Sequence, residues 1–282
     1  MQNKTKINQD DTTIEDLEIE LLLQAIYRRY GYDFRDYSRP SIKRRLKHRL
    51  TLSGLATITD LQREILHNLD FFQLLLQDLS INVTAMFRDP TFYKTLKQKI
   101  LPSFAQHEII KIWHAGCASG EEVYSMAIFL KEANLYERAR IYATDFNIPA
   151  LNKAKEGIYP ANLLKTYIKN YRNSGGVESF TDYYSAHYEL VLMNKSLKKN
   201  IVFANHNLVT DGVFGEMDMI LCRNVLIYFG RKLQDRVFKL FKESLRKGGL
   251  LCLGSKETIR ISKYSDAFTD IAQKDKIYQK KV

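Results

Sequence analysis

Apolar residues recur along this chain in two rhythms, and the change between them divides it. Through residues 15–80 the period is helical. Leu17, Leu21, Leu22 and Ile26 share a face, and Ile42, Leu46 and Leu50 form a narrow i, i+4, i+8 stripe behind Pro40, which suits a first helical turn. Two more helical patterns span Thr57–Leu66 and Leu69–Leu79. After a turn at Thr84–Pro90, a further helix is expected from Phe92 to Leu101, closed by Pro102.

From Ile109 onward, short β-branched runs alternate with helical ones. Strands are expected at Ile109–Trp113, Ile141–Thr144, Ile201–Ala204, Met217–Cys222 and Leu250–Leu253, and helices at Glu122–Ala133, Pro149–Glu156 and Arg231–Arg246. Such alternation predicts a mostly parallel sheet with helices on both faces. A last strand, Lys276–Lys280, is expected at or near an edge. The rhythm breaks between Tyr171 and Asn200. There Ser179–Tyr184 and Tyr188–Met193 read as short antiparallel strands, with turns at Gly175-Gly176 and Asn194-Lys195. The expected organisation is an all-helical domain over 1–83, a linking helix within 84–108, and an α/β domain over 109–282 with a small antiparallel β insertion at about 171–200.

Composition adds two constraints. The formal net charge is +11, and it is concentrated: from Arg28 to Arg49 nine Arg and Lys face only Asp33 and Asp36. On the helix behind Pro40, Lys43, Arg44, Lys47 and His48 fall off the apolar stripe, so the patch calls for an acidic partner, with a merely solubilising face as the plainer reading. No apolar run approaches the roughly 20 residues of a membrane span. The polar, acidic first twenty residues resemble neither a signal peptide nor an anchor and are expected to fray. Cys117, Cys222 and Cys252 are widely spaced in apolar strand patterns, which suggests reduced, buried thiols in a cytoplasmic protein rather than disulfides or a zinc site.

The chemistry is concentrated in Ile109–Glu122, where a strand ends in a loop with glycines at 116 and 120 and a helix follows. Strand, glycine loop and helix open a nucleotide-type pocket. The spacing is neither Gly-x-Gly-x-x-Gly nor a triphosphate-binding Gly-Lys-Ser/Thr. Glu121-Glu122 at the helix start would repel a phosphate but suits a cationic ligand such as a sulfonium. Asp145, at the end of the next strand, could grip ribose hydroxyls, or simply cap the following helix. Together these features point to S-adenosylmethionine.

Further motifs carry a resemblance. They are Asn82-x-Thr84 with Phe87-Arg88, Trp113-x-Ala-Gly-Cys-x-Ser-Gly-Glu-Glu122, Ala143-Thr-Asp145, Gly157-Ile-Tyr159, His206-Asn-Leu208 and Cys222-Arg-Asn-Val-Leu-Ile-Tyr-Phe229. In this order, over nearly the whole chain, the sequence resembles the bacterial chemotaxis receptor methyltransferases, the CheR family. That resemblance implies a Rossmann-like class I methyltransferase sheet behind an all-helical domain. It implies transfer of a methyl group from S-adenosyl-L-methionine to glutamate side chains of chemoreceptors, with S-adenosyl-L-homocysteine as the product and no metal. By the same resemblance Asn82, Thr84 and Arg88 line the cofactor and reaction site, Gly116 belongs to the cofactor loop, and Glu121 lies near the methionine amino group. Asp145 takes the ribose, Asn207 and Leu208 flank the adenine, and Arg223 and Asn224 close the floor. Arg88 and Tyr228 resemble a substrate-orienting pair. Lys43, Arg44, Lys47 and His48 would dock the cytoplasmic domain of a receptor, and the β insertion could take a receptor C-terminal peptide; a monomer is expected. The chain departs from the family pattern at Met86 (usually aromatic), His114 (usually small), Val123 (usually proline) and Ser255-Lys256 (usually His-Ser).

A glutamate carboxylate, with a reference pKa near 4.3, is already a nucleophile at neutral pH, so methyl transfer to it needs no base. The sequence offers no nucleophile elbow, metal-ligand cluster or obvious His/Asp pair. Two rivals stand beside this reading. A nucleic-acid methyltransferase would use the basic patch for phosphates, but the post-strand motif is not Asn/Asp-Pro-Pro-Tyr and there is no aromatic-basic stacking platform. A non-catalytic sensor or scaffold would keep the pocket and lose the chemistry.

Overall fold

The computed structural model describes residues 13–80, 84–213 and 215–281. Two compact units divide at Ser80/Ile81.

The first unit is four helices, α1 (Ile14–Tyr30), α2 (Arg39–Ser53), α3 (Ile58–His67) and α4 (Leu69–Leu79). Their ends are written in the sequence. Thr13 caps α1 by accepting the Asp16 N–H, and Thr57 and Asp60 form a reciprocal capping box on α3. Ile42 and Leu46 are buried on α2 as the stripe predicts, while Leu50 reaches only the half-buried rim. The core is completed by Leu22, Leu23, Ile26, Leu61, Ile65, Phe72 and Leu75, with Tyr30 stacked on Phe72 at 3.8 Å between ring centroids.

The basic residues of α2 divide by role. Arg45 donates to the Asp78 carbonyl and Arg49 pairs with the Asp78 carboxylate, each at 2.5 Å, tying α2 to α4. Lys43 and Lys47 reach Glu15 of α1 at 2.7 and 3.1 Å. Arg44, Lys47 and His48 are exposed and Lys43 is half-buried.

The second unit opens with α5 (Pro90–Thr95), which passes into a π turn (Leu96–Ile100) and a 3-10 turn (Leu101–Phe104) instead of the regular helix expected up to Leu101. Pro102 cannot donate to a helical carbonyl, and the backbone adjusts in the turns around it. The main sheet contains β1 (Ile110–Ala115), β2 (Ala139–Asp145), β6 (Ile201–Asn205), β7 (Met217–Cys222), β8 (Leu245–Leu253), β9 (Phe268–Ala272) and β10 (Ile277–Lys280). The order is β6-β2-β1-β7-β8-β10-β9. The first five strands are parallel, and β10 runs antiparallel between β8 and β9. Helices α6 (Glu121–Glu132), α7 (Ile148–Glu156) and α9 (Arg231–Ser244) cover this sheet. β8 starts before the expected Leu250: the chain stays in the sheet through Gly248, whose φ of +75° accompanies a register shift against β7.

The β insertion differs from expectation in its members. Ser179–Tyr184 is not a strand; Phe180–Tyr183 is a 3-10 turn that buries both aromatic ends. The hairpin is β4 (Tyr184–His187) and β5 (Leu190–Met193), turning at Tyr188-Glu189, and Ile158–Pro160 supplies β3 in the order β3-β5-β4. Helix α8 (Leu164–Asn173) fills the interval. Beneath it Phe87, Tyr93, Phe129, Tyr171 and Phe180 form an aromatic cluster with centroid separations of 5.1–6.2 Å.

Candidate active site

At the carboxyl ends of β1 and β7 lies a cleft of about 460 Å³, open mouth included, lined by Thr84, Arg88, Gly116, Arg223, Asn224 and neighbours. Three chain segments that are distant in sequence meet there, and each turns sharply. Phe87, Asp89, Ala118 and Asn224 all hold a left-handed φ, from +48° to +62°. Each such non-glycine residue costs on the order of 1–3 kcal/mol and persists only where its surroundings enforce it.

The glycine loop is held by the sheet. Gly116 and Cys117 N–H groups both donate to the Thr144 carbonyl at 2.9 Å. Gly116 has φ +78°, and a Cβ there would meet Val225 at 2.7 Å. Asp145 does not cap α7; Asn147 does, accepting the Ala150 N–H. Instead Asp145 accepts the Ala118 N–H through one oxygen and the Asn147 N–H through the other, both at 2.8 Å. Burial raises its pKa against those bonds. Glu121, also buried, accepts from Ser119 at 2.7 Å and faces the Tyr167 hydroxyl at 3.5 Å, and burial raises its pKa too. A strand-end acid beside a bent backbone and a second acid at the helix start are acceptors of the kind that ribose hydroxyls and an ammonium group could donate to.

The third wall carries a buried ionic clamp. The Arg223 guanidinium reaches Glu122 at 3.1 Å and Asp89 at 2.8 Å, and lies over the Phe92 ring at 4.0 Å. His114 Nδ1 sits 3.0 Å from the other Glu122 oxygen. Burial pushes the Glu122 carboxyl up, but His114 and the Arg223 charge outweigh it and hold it below the usual range. The Phe87 N–H donates to Ser125 at 2.9 Å, so Arg88 is fixed on both sides. Asn224 is set from behind by Glu257, which accepts the Asn224, Ile227 and Gly254 N–H groups.

Thr84, Arg88, Gly116, Arg223 and Asn224 thus line one cleft, with Glu121 and Asp145 joined to its loop. Asn207 and Leu208 adjoin Asp145 through the His206 N–H, at 3.3 Å from the Asp145 carbonyl. The Asn207 side-chain oxygen, however, accepts from Val209 within its own loop. Tyr228 is half-buried in the 3-10 turn Leu226–Tyr228 and is not among the lining residues. Asn82 lies outside the described residues. Met86 and Val123 are core residues, and His114 fills buried space against Glu122. Sequence reasoning missed Asp89, Glu122 and Glu257 as the groups that hold the walls; the only local signal was Asp89-Pro90, a turn dipeptide. No cluster of three or more potential metal ligands occurs among the described residues.

Because the folded Glu122 pKa is depressed, its stabilisation is present above the ordinary glutamate value, about 4.3, and is lost as pH falls through the folded value. Glu122→Gln should therefore flatten the acid side of the stability–pH curve and cost about 1.5–3 kcal/mol at pH 7. Thermal melts from pH 3 to 7 read both effects; equal acid slopes in the two proteins would refute the pairing.

Comparison with known proteins places these features in a family. The model of the CheR methyltransferase SAM binding domain matches residues 82–277, and that of the CheR methyltransferase all-alpha domain matches 17–80. A candidate methyltransferase of Pseudomonas putida named Cher3 is 48% identical over 265 residues, 94% of this chain and 97% of that one. The chemotaxis protein methyltransferase of Borreliella burgdorferi is 32% identical, covering 93% and 94% of the two chains. That of Salmonella typhimurium is 30% identical, covering 86% and 84%. No described helix is long and apolar enough to cross a membrane. With its matched helical domain, its sheet order and its S-adenosylmethionine-binding unit, the chain belongs to the CheR methyltransferase family.

Proposed function

We propose that this protein methylates glutamate side chains of chemoreceptor cytoplasmic domains, giving γ-methyl esters. The observation that carries this reading is the half-buried Arg88 on the cleft wall, its carbonyl held by Arg223 of the clamp beside the glycine loop. When bound, S-adenosylmethionine supplies an electrophilic methyl on a sulfonium, which a carboxylate takes up as its ester, leaving a neutral thioether. The protein's part is alignment. The Arg88 guanidinium can hold a substrate carboxylate in plane, its backbone being fixed by left-handed turns at Phe87 and Asp89. The Tyr228 hydroxyl would share that load, so that the attacking oxygen is oriented without being wholly neutralised.

Arg88→Ala should cut turnover strongly with the fold intact, and Tyr228→Phe should cost less. With labelled cofactor and a receptor signalling fragment, the transferred methyl should be released by mild alkali; an alkali-stable methyl would place it on nitrogen or carbon and reject the ester.

The outer face of α2 is the docking surface in this reading. Arg44 and His48 are exposed, and Lys43 and Lys47 keep Glu15 as a partner that a receptor acid could replace. Contacts of this kind act through encounter rate and are screened over about 8 Å at physiological salt. Reversing Arg44 and Lys47 to Glu together should slow receptor methylation without changing affinity for S-adenosylhomocysteine. Normal receptor methylation combined with lost RNA affinity would favour a nucleic-acid substrate instead.

A further inference from the structure

The glycine loop is held by the sheet through Thr144 and Asp145, and also by two tyrosines that the methyl-transfer reading does not use. Tyr159 on β3 donates its hydroxyl to the Ser119 carbonyl at 2.8 Å. Tyr167 on α8 faces the Glu121 carboxylate at 3.5 Å, on the oxygen that the Ser119 hydroxyl leaves open. Both rings are buried and meet edge to face, 6.3 Å between centroids. Burial raises both phenol pKa values, so each hydroxyl keeps the proton it donates. Gly120, between the two contacts, has φ +90°. A Cβ there would meet Ala154 at 2.8 Å and the Tyr159 hydroxyl at 3.3 Å, so the loop sits hard against its supports. The elements that carry the tyrosines are anchored in turn. Tyr159 pairs with Val191 of β5. One turn along α8 from Tyr167, Asn170 donates to the Met86 carbonyl at 3.1 Å. Beside it Tyr171 donates to Glu132, which Lys97 pairs at 2.7 Å.

We propose that Tyr159 and Tyr167 are positioning residues for the cofactor: they hold Ser119–Glu121 in the shape that S-adenosylmethionine binds, while neither lines the cleft. The inference rests on the glycine loop being the cofactor's, and it is independent of which acceptor is methylated. A loop that loses a bracing bond visits other shapes, and its apparent affinity falls with the fraction that stays competent to bind. A tyrosine-to-phenylalanine change removes the donor and keeps the ring. Packing is preserved while the loop is released.

The test is titration calorimetry with S-adenosylhomocysteine, paired with thermal melts. Tyr159→Phe should weaken affinity about fivefold, or about 1 kcal/mol, the size of one neutral hydrogen bond. Tyr167→Phe, with the longer contact, should weaken it about twofold. Tyr136→Phe is the control. Its hydroxyl is likewise buried and donates to a backbone carbonyl, that of Leu197, but it precedes the amino end of β2, away from the cleft. This variant should lower the melting temperature about as much as Tyr159→Phe and leave affinity unchanged. Wild-type affinity in Tyr159→Phe overturns the proposal. An equal loss of affinity in Tyr136→Phe also overturns it, by showing that general loosening is enough. Asp145→Asn, which weakens the loop's brace to the sheet, tests the reading beneath this one and should lose more affinity than either tyrosine variant. If Asp145→Asn binds as the wild type does, the loop is not the cofactor's, and this proposal falls with that reading.

Discussion

The second unit depends on one buried cation. Arg223, with 2% of its side chain exposed, stands between Glu122 and Asp89 and joins the end of β7, the start of α6 and the turn before α5. Burying a guanidinium is costly unless it is paired and hydrogen-bonded. Here two carboxylates and the face of Phe92 supply the compensation. Against the upward push of burial, His114 and this same charge hold the Glu122 carboxyl below its usual range. Remove the cation and both acids lose the partner they share beside a strained turn.

That clamp is one of four braces that sustain left-handed backbone at Phe87, Asp89, Ala118 and Asn224 around one cleft. Each bend has its own brace: Ser125 for Phe87, Arg223 for Asp89, Asp145 for Ala118 and Glu257 for Asn224. Two of the four are side-chain acids accepting backbone N–H groups, and the others are a serine hydroxyl and a guanidinium, all supplied by the protein itself. Under the proposed glutamate reading, in which the nucleophile is already ionised, this preorganisation would be the main catalytic resource left to the protein.

Much of this was legible in the sequence, for reasons that differ by residue. The run at Ile110–Trp113 and the helical stripe of α2 could be read because burial on one face imposes a period. Gly116 and Asp145 could be read because a tight turn at a strand end restricts the residue types that serve there. The insertion resisted. Phe180 and Tyr183 look like strand aromatics, yet three-residue spacing suits a 3-10 turn that buries both. β3 is three residues long and ends in Pro160, too short for any period to show. β9 was missed because Thr269, Asp270 and Ile271 are all exposed in its middle, which erases the alternation. The clamp was invisible for another reason: Arg223 meets partners 101 and 134 residues away, and no local pattern marks such a pairing.

The central claim is that this clamp, not only the residues that touch ligand, forms the cofactor cleft. Titration calorimetry with S-adenosylhomocysteine on Asp89→Asn tests it most directly, since Asp89 braces the wall without being among the lining residues. Asp270→Asn, which breaks the exposed Arg260 pair, is the control. The account predicts affinity weakened about tenfold in Asp89→Asn, the worth of one charge-assisted hydrogen bond, and unchanged in the control. Wild-type affinity in Asp89→Asn would contradict it.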